Sequence, residues 1–312
     1  MSTENLEELL AACEQEPLHL SGAIQPHGAL LALDPEGRVT HASRNVHALL
    51  EREADDLLGT DIDGLGLARL DERLGALAAG RRLYVPLARR GPAGELDLLA
   101  SRGPSGLLLE FQPARGEADD SVVPDPDLAR APQDPAAFAD YCDHAATAVR
   151  GITGYDRVMV YRFLEDGSGE VVGEARDPAM TSYLGLRFPA SDIPRIARDI
   201  YRVTGHRHIP DVDAQPVPLV GTPGAAPPDQ THGDLRSVSP VHIEYLHSME
   251  VGASFSVASE EGIEGGSSVW PARAPPFRAS RSACSRSWAS PGGTSSLDAA
   301  SAGSSSESAS EG

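Results

Sequence analysis

The chain has 312 residues and a formal net charge of -20 at pH 7. The length suggests about two domains, and the acidity argues against nucleic acid or an anionic membrane as a partner. No run of about eighteen apolar residues occurs, and the acidic start lacks a signal peptide's basic and apolar regions, so the expected location is cytoplasmic.

A short acidic helix-like segment opens the chain and runs to Cys13. Three cysteines, Cys13, Cys142 and Cys284, show neither CxxC spacing nor a disulfide framework. Ala29 to Asp34 and Val39 to Ser43, around a Pro35-Glu36-Gly37 turn, read as a β-hairpin. Leu83 to Leu87, Glu95 to Ser101 and Leu107 to Gln112 read as three further strands, with helical stretches before them. The order β-β-α-α-β-β-β is that of a small one-sheet α+β sensor domain. Residues 114–134 have the Pro/Asp/Ala composition of a linker. Asp134 as N-cap and Pro135 at the first helical position then open a helix. Its stripe is Phe138, Tyr141, Cys142, Ala145, Val149 and Ile152, on which Cys142 reads as a small core residue. Val158 to Phe163 and Glu170 to Ala175 form a hairpin around Asp166-Gly167-Ser168-Gly169.

Phe188-Pro189-Ala190-Ser191-Asp192-Ile193-Pro194 brackets one acid between two prolines. Each proline fixes its own φ and pushes the residue before it toward extended backbone. Ser191 to Ile193 is therefore expected as a stiff, non-helical loop whose carbonyls need donors. Alone, it is an ordinary loop before a helix; a ligand bearing N–H groups is the sharper reading. A helix near Ile196 to Tyr201, a short strand at His208-Ile209, a Pro/Gly-rich loop from Ala214 to Gly233, a helix start at Ser239-Pro240 and a strand at Ala253 to Val257 follow. From about Ser259 the periodicity stops, so 259–312 reads as a disordered tail. A reading-frame shift is favoured over a natural tail. Val269 to Pro276, read one base out of frame, permits Cys-Gly-Leu-Leu-Ala-His-His, and the strand before it ends without a partner.

Three motifs stand in order: Glu16-Pro-Leu-His-Leu-Ser-Gly-Ala-Ile-Gln-Pro-His-Gly28, Phe188 to Pro194, and Arg236-Ser-Val-Ser-Pro-Val-His-Ile-Glu-Tyr-Leu246. Over roughly residues 10 to 258 the chain thereby resembles the N-terminal part of bacteriophytochromes, which are biliverdin-binding red/far-red photoreceptors. The resemblance implies an N-terminal segment 1–14 bearing the chromophore-linking cysteine, a PAS domain at 15–113, the linker, and an incomplete GAF domain at 135–258. Both domains are α+β, with antiparallel sheets and flanking helices. A figure-of-eight knot is implied, in which Ile24 passes through a lasso near Gly205 to Arg236.

The same resemblance assigns residues. Cys13 matches the thiol that forms a thioether with the ring A vinyl group of biliverdin IXα, although an isolated exposed cysteine is more often inert. Other phytochromes use a cysteine just before the helix histidine, which here is Val241, so biliverdin is favoured. Asp192 is implied to offer its backbone oxygen to the pyrrole N–H groups and its carboxylate to ring D, and Ile193 and Pro194 are implied cofactor-binding neighbours. His242 and Tyr245 share one helix face, beginning from Ser239. His242 is implied to bond the central pyrrole water, with Tyr245 beside the isomerising ring. Met159 and Tyr161 share one strand face and, with Tyr183 and Phe188, wall the pocket. Arg207 and Arg236 match the arginines that grip the propionates, a carboxylate being suited to bidentate guanidinium. Tyr201, Ser254 and Ser256 assist them. Taken singly, a helix histidine, buried tyrosines and surface arginines are ordinary structural residues.

Relatives continue into a further strand, a His-His pair, a long helix, a PHY domain and a kinase, and none of these is present here. The implied partner is a linear tetrapyrrole, with a homodimer in full-length relatives and an output kinase or response regulator not encoded here. No Ser/His/Asp, metal or P-loop constellation occurs, so no enzyme activity is expected. Two alternatives stay open: a truncated, non-photoactive PAS-GAF interaction module, and a cyclic-nucleotide-binding GAF domain, against which the bilin-type motifs argue.

Overall fold

The computed structural model describes residues 16–67, 70–92, 94–114, 125–128, 130–192 and 195–258. Cys13, Ile193, Pro194, residues 115–124 of the expected linker and the expected tail 259–312 lie outside the described residues. The first domain contributes β1 (Ala23–Ile24), β2 (Ala29–Leu33), β3 (Val39–Ser43), β4 (Arg82–Gly91), β5 (Gly94–Gly103) and β6 (Gly106–Pro113). Short helical turns at His47–Leu50, Ala54–Leu57 and Asp71–Gly75 fill the interval between β3 and β4.

All five residues of β2 are buried because both of its faces are covered. Ala29, Leu31 and Leu33 face a core with Val39, Leu57, Leu74, Leu98, Leu109 and Phe111. Leu30 and Ala32 face the other way, with Leu108, and meet Ile24 and Leu235. A strand covered on both faces reads as a continuous apolar run rather than an alternating one. Gly28 lets Leu235 approach this closely, since a Cβ there would lie 2.7 Å from both Leu235 Cδ1 and the Phe111 carbonyl oxygen.

The second domain opens with α1 (Pro135–Thr153), capped where expected. Asp134 accepts from Ala137 N at 2.9 Å, and Gly154 turns left-handed at φ 72°. Phe138, Cys142, Ala145 and Ala146 pack on Val158 and Val160 of β7 (Arg157–Phe163) and Val172 and Ala175 of β8 (Gly169–Arg176). Ile152 departs from the expected stripe. It is 45% exposed, because the buried part of the helix lies nearer its start. After β9 (Arg187–Phe188) come α2 (Arg195–Thr204), β10 (His206–Ile209), β11 (Val217–Gly221), α3 (Pro240–Ser248) and β12 (Ser254–Val257). Among the described residues this domain carries a three-stranded sheet, β7-β8-β9, and a separate pair, β10-β12.

β11 corrects the expected Pro/Gly-rich loop. It joins the first domain's sheet, giving the order β1-β11-β3-β2-β6-β5-β4. Pro218 is tolerated because it falls at the end of the β3 ladder, where its missing donor costs least, and its carbonyl accepts from Arg44 N. The chain at Ala23 to Gln25 is clasped on both edges by the second domain. Ala23 and Ile24 pair with Pro218 and Val217. On the other edge Gln25 N donates to Leu235 O at 2.7 Å, Ser237 N donates to Ala23 O at 3.2 Å, and Ile24 bridges Arg236. Ile24, with no exposed surface, thus sits between two arms of one insertion, as the expected crossing requires. Among the described residues no helix is long and apolar enough to cross a membrane.

Candidate functional site

The β7 face opposite α1 and the helix α3 together form an aromatic site. Val158 and Val160 are turned toward α1, so alternation turns Met159 and Tyr161 away from it. The Tyr161 ring lies 5.2 Å from Phe163 and 6.0 Å from Phe188, and Phe188 lies 6.4 Å from Tyr183. These separations suit edge or tilted ring contacts. The Arg157 guanidinium stands 3.6 Å over Tyr183. On α3, one turn apart, the His242 and Tyr245 rings stack at 6.0 Å and 17°.

Asp192 links strand side to helix side: its carboxylate accepts from Tyr245 O–H at 3.2 Å. Burial raises the Asp192 carboxyl, partly opposed by hydrogen bonds from Tyr245 and Ser191. Burial, with the Asp192 charge added, pushes Tyr161 up to about 12 and also raises Tyr245. Burial, with the Arg207 charge added, drops His242 to about 4, so its imidazole is neutral at pH 7. The expected non-helical loop is in part a turn. Ala190–Asp192 forms one 3-10 turn, with Asp192 N bonded to Pro189 O, because a proline carbonyl accepts as well as any other.

The second half of the site is cationic. Arg236 is 8% exposed, and among the described residues its Nη1 has no hydrogen-bond partner. Arg207 donates to Arg236 O at 2.6 Å and to Ser237 O at 3.1 Å. Desolvation disfavours the charge on both arginines, and Arg236 adds repulsion at Arg207. The Tyr201 phenol acts electrostatically on both, so it lies beside them. Ser256 stands directly across the ladder from Arg207, and Ser254 across from Ile209. A buried arginine with an unpaired N–H, next to a second arginine, has the chemistry of a carboxylate site.

Tyr161, Tyr183, Phe188, Asp192, His242 and Tyr245 are therefore brought together, and Tyr201, Arg207, Arg236 and Ser256 form the adjoining cluster. Ser239 is engaged elsewhere: its hydroxyl donates to Glu16 Oε2 at 2.5 Å, tying the N-terminal motif to the start of α3. Sequence reasoning missed Arg198, which donates to Gly167 O and lies 5.8 Å from the Phe163 ring. It also missed Glu110, Asp234, Arg82 and His206, which surround the backbone leading into Arg236. The one available signal was an acid inside the apolar run Leu107-Leu108-Leu109-Glu110-Phe111.

A first-domain sheet clasped by the next domain's insertion, beside an aromatic cluster, a buried arginine and a half-buried one, defines a two-domain α+β module. Residues 13–114 match the model of the PAS fold. The chain is 36% identical over 263 residues to cyanobacterial phytochrome B of Nostoc, covering 80% of this chain and 35% of that protein. It is 36% identical over 275 residues to a bacteriophytochrome of Xanthomonas campestris, covering 81% and 42%. The chain thus spans well under half the length of these curated relatives. Among solved structures, the chromophore-binding domain of Stigmatella aurantiaca bacteriophytochrome matches with a TM-score of 0.67 and 34% identity, covering 88% of this chain and 95% of that one. That of an unusual bacteriophytochrome from R. palustris matches with a TM-score of 0.66 and 31% identity, covering 87% and 94%. The chain belongs to the bacteriophytochrome family.

Proposed function

We propose that this chain is a red/far-red light-sensing module that binds biliverdin IXα covalently through Cys13. The observation that carries the reading is Arg236, buried with an unpaired N–H beside Arg207, whose charge reaches His242 of the aromatic cluster. When bound, the bilin supplies the visible absorption and the Z/E photoisomerisation by which the module signals. The protein's part is to bind and orient. Arg207 and Arg236 take the two propionates, with Tyr201, Ser254 and Ser256 in support. Asp192 and the neutral His242 face the pyrrole nitrogens, while Met159, Tyr161, Tyr183, Phe188 and Tyr245 exclude water. Cys13, Ile193 and Pro194 enter from the family motif. No residue is assigned a role in enzyme catalysis.

A second reading, an interaction module without pigment, draws on the split of the second domain into two sheets among the described residues. Titration with biliverdin separates the two. A red absorption band that stays on the protein in acid-urea, and that Cys13→Ser releases, supports the photoreceptor. Absence of any band leaves the interaction module.

A further inference from the structure

Glu110 lies in the middle of β6 with no exposed surface, where an ionised carboxylate is costly unless its oxygens are hydrogen-bonded. Its ladder neighbours, Leu30 and Leu99, carry no donor side chain. The donors come from the second domain. Glu110 Oε2 accepts from Asp234 N at 2.9 Å, and Oε1 accepts from Leu235 N at 2.6 Å. One carboxylate thus holds two successive backbone N–H groups, and the next residue is Arg236. Other contacts secure the same segment. Gln25 N donates to Leu235 O at 2.7 Å, and Asp234's carboxylate pairs with Arg82 of β4 and with His206 Nε2 at 3.1 Å.

We propose that Glu110 is a positioning residue for Arg236: the first domain's carboxylate fixes the backbone at 234–235 and so aims the guanidinium at a ligand carboxylate. This rests on the reading of Arg207 and Arg236 as the propionate-binding pair. Burial first, and the charge of Asp234 second, push Glu110 up to about 7, against the pull of the two N–H groups and Arg82. The other charged groups around it are Arg207 and Arg236, on which it acts directly. Beyond them stand His206, which faces Asp234, and His232 with Asp229, where burial lowers the histidine. A proton on Glu110 converts one acceptor oxygen into a donor facing an N–H. The clamp therefore loosens as pH falls from 8 to 6, while free propionates, with an ordinary pKa of about 4.5, stay ionised.

The test compares biliverdin with its dimethyl ester, whose propionates carry no charge, by titration of the full chain. Wild type is expected to prefer the free acid. Glu110→Gln keeps the size but presents an amide N–H to one backbone N–H; it should cut that preference by about tenfold, the scale of a lost charge-assisted hydrogen bond, and leave ester affinity unchanged. In wild type the preference should fall from pH 8 to 6, and in E110Q it should be flat. A wild-type preference that E110Q leaves intact overturns the positioning role alone. Equal binding of both pigments by wild type, or of neither, removes the carboxylate reading of Arg236 and this inference with it. The wild-type pH series needs no substitution and stands even if E110Q fails to fold: a preference constant from pH 8 to 6 overturns the proposal.

Discussion

At the scale of single residues, His242 and Glu110 are both displaced by burial, and in opposite senses for stability. His242 falls from 6.5 to about 4, so the unfolded chain binds more protons between those values. Its contribution is therefore present above pH 6.5 and is lost as pH falls toward 4. Glu110 rises from 4.5 to about 7, so the folded chain binds more protons in that window, and its contribution declines as pH rises through it. The two slopes offset each other across much of the range from pH 4.5 to 6.5. Glu110→Gln should therefore expose the histidine's slope, with stability climbing from pH 4 to 6.5. His242→Gln should expose the opposite slope, with stability declining from pH 4.5 to 7. Urea midpoints measured across that range check both, and parallel pH profiles in the two variants would refute the assignment. A side-chain nitrogen NMR titration should also show the His242 imidazole neutral from pH 5.5 to 8.

At the scale of elements, α1 and β8 approach through a glycine. A Cβ on Gly173 would lie 2.6 Å from the Cys142 backbone carbonyl carbon and 2.7 Å from its Cβ. The obstacle is mostly backbone, so it cannot swing aside. Gly173→Ala should destabilise the protein by about 1–3 kcal/mol, the usual range for overpacking, read as a lower denaturant midpoint at unchanged slope. Burial pushes the Cys142 thiol up to about 11, so it should resist alkylation in the folded protein and react once unfolded. This helix was legible in the sequence because its signals are local: Asp134 and Pro135 at one end, Gly154 at the other, and an apolar spacing between. β11 was not legible. Pro216 and Pro218 mark a loop by local rules, and only pairing with β1 and β3 makes those residues a strand. The same limit applies at Asp192, where a rule about φ left open the single 3-10 turn that forms.

At the scale of the whole molecule, the first domain's sheet is completed by β1, near the start of the described residues, and by β11 from the second domain, with Ile24 at the crossing. Ile24→Ala removes a fully buried side chain shared with Leu30, Leu108, Leu235 and Val217. It should cost about 2–5 kcal/mol. Hydrogen exchange should accelerate in β11 and around Leu235 together, because both arms hold the same residue; a change confined to one arm would argue against the clasp. The sequence by itself determined the family, the two-domain order and the caps of α1, since each is written in a contiguous motif or a local period. Only the tertiary structure decided which acid supports Arg236, that Ser239 serves Glu16, and that β2 is covered on both faces. Glu110 and Asp234 stand 124 residues apart. Their meeting depends on which face of β6 the second domain's insertion covers, and no local spacing encodes that.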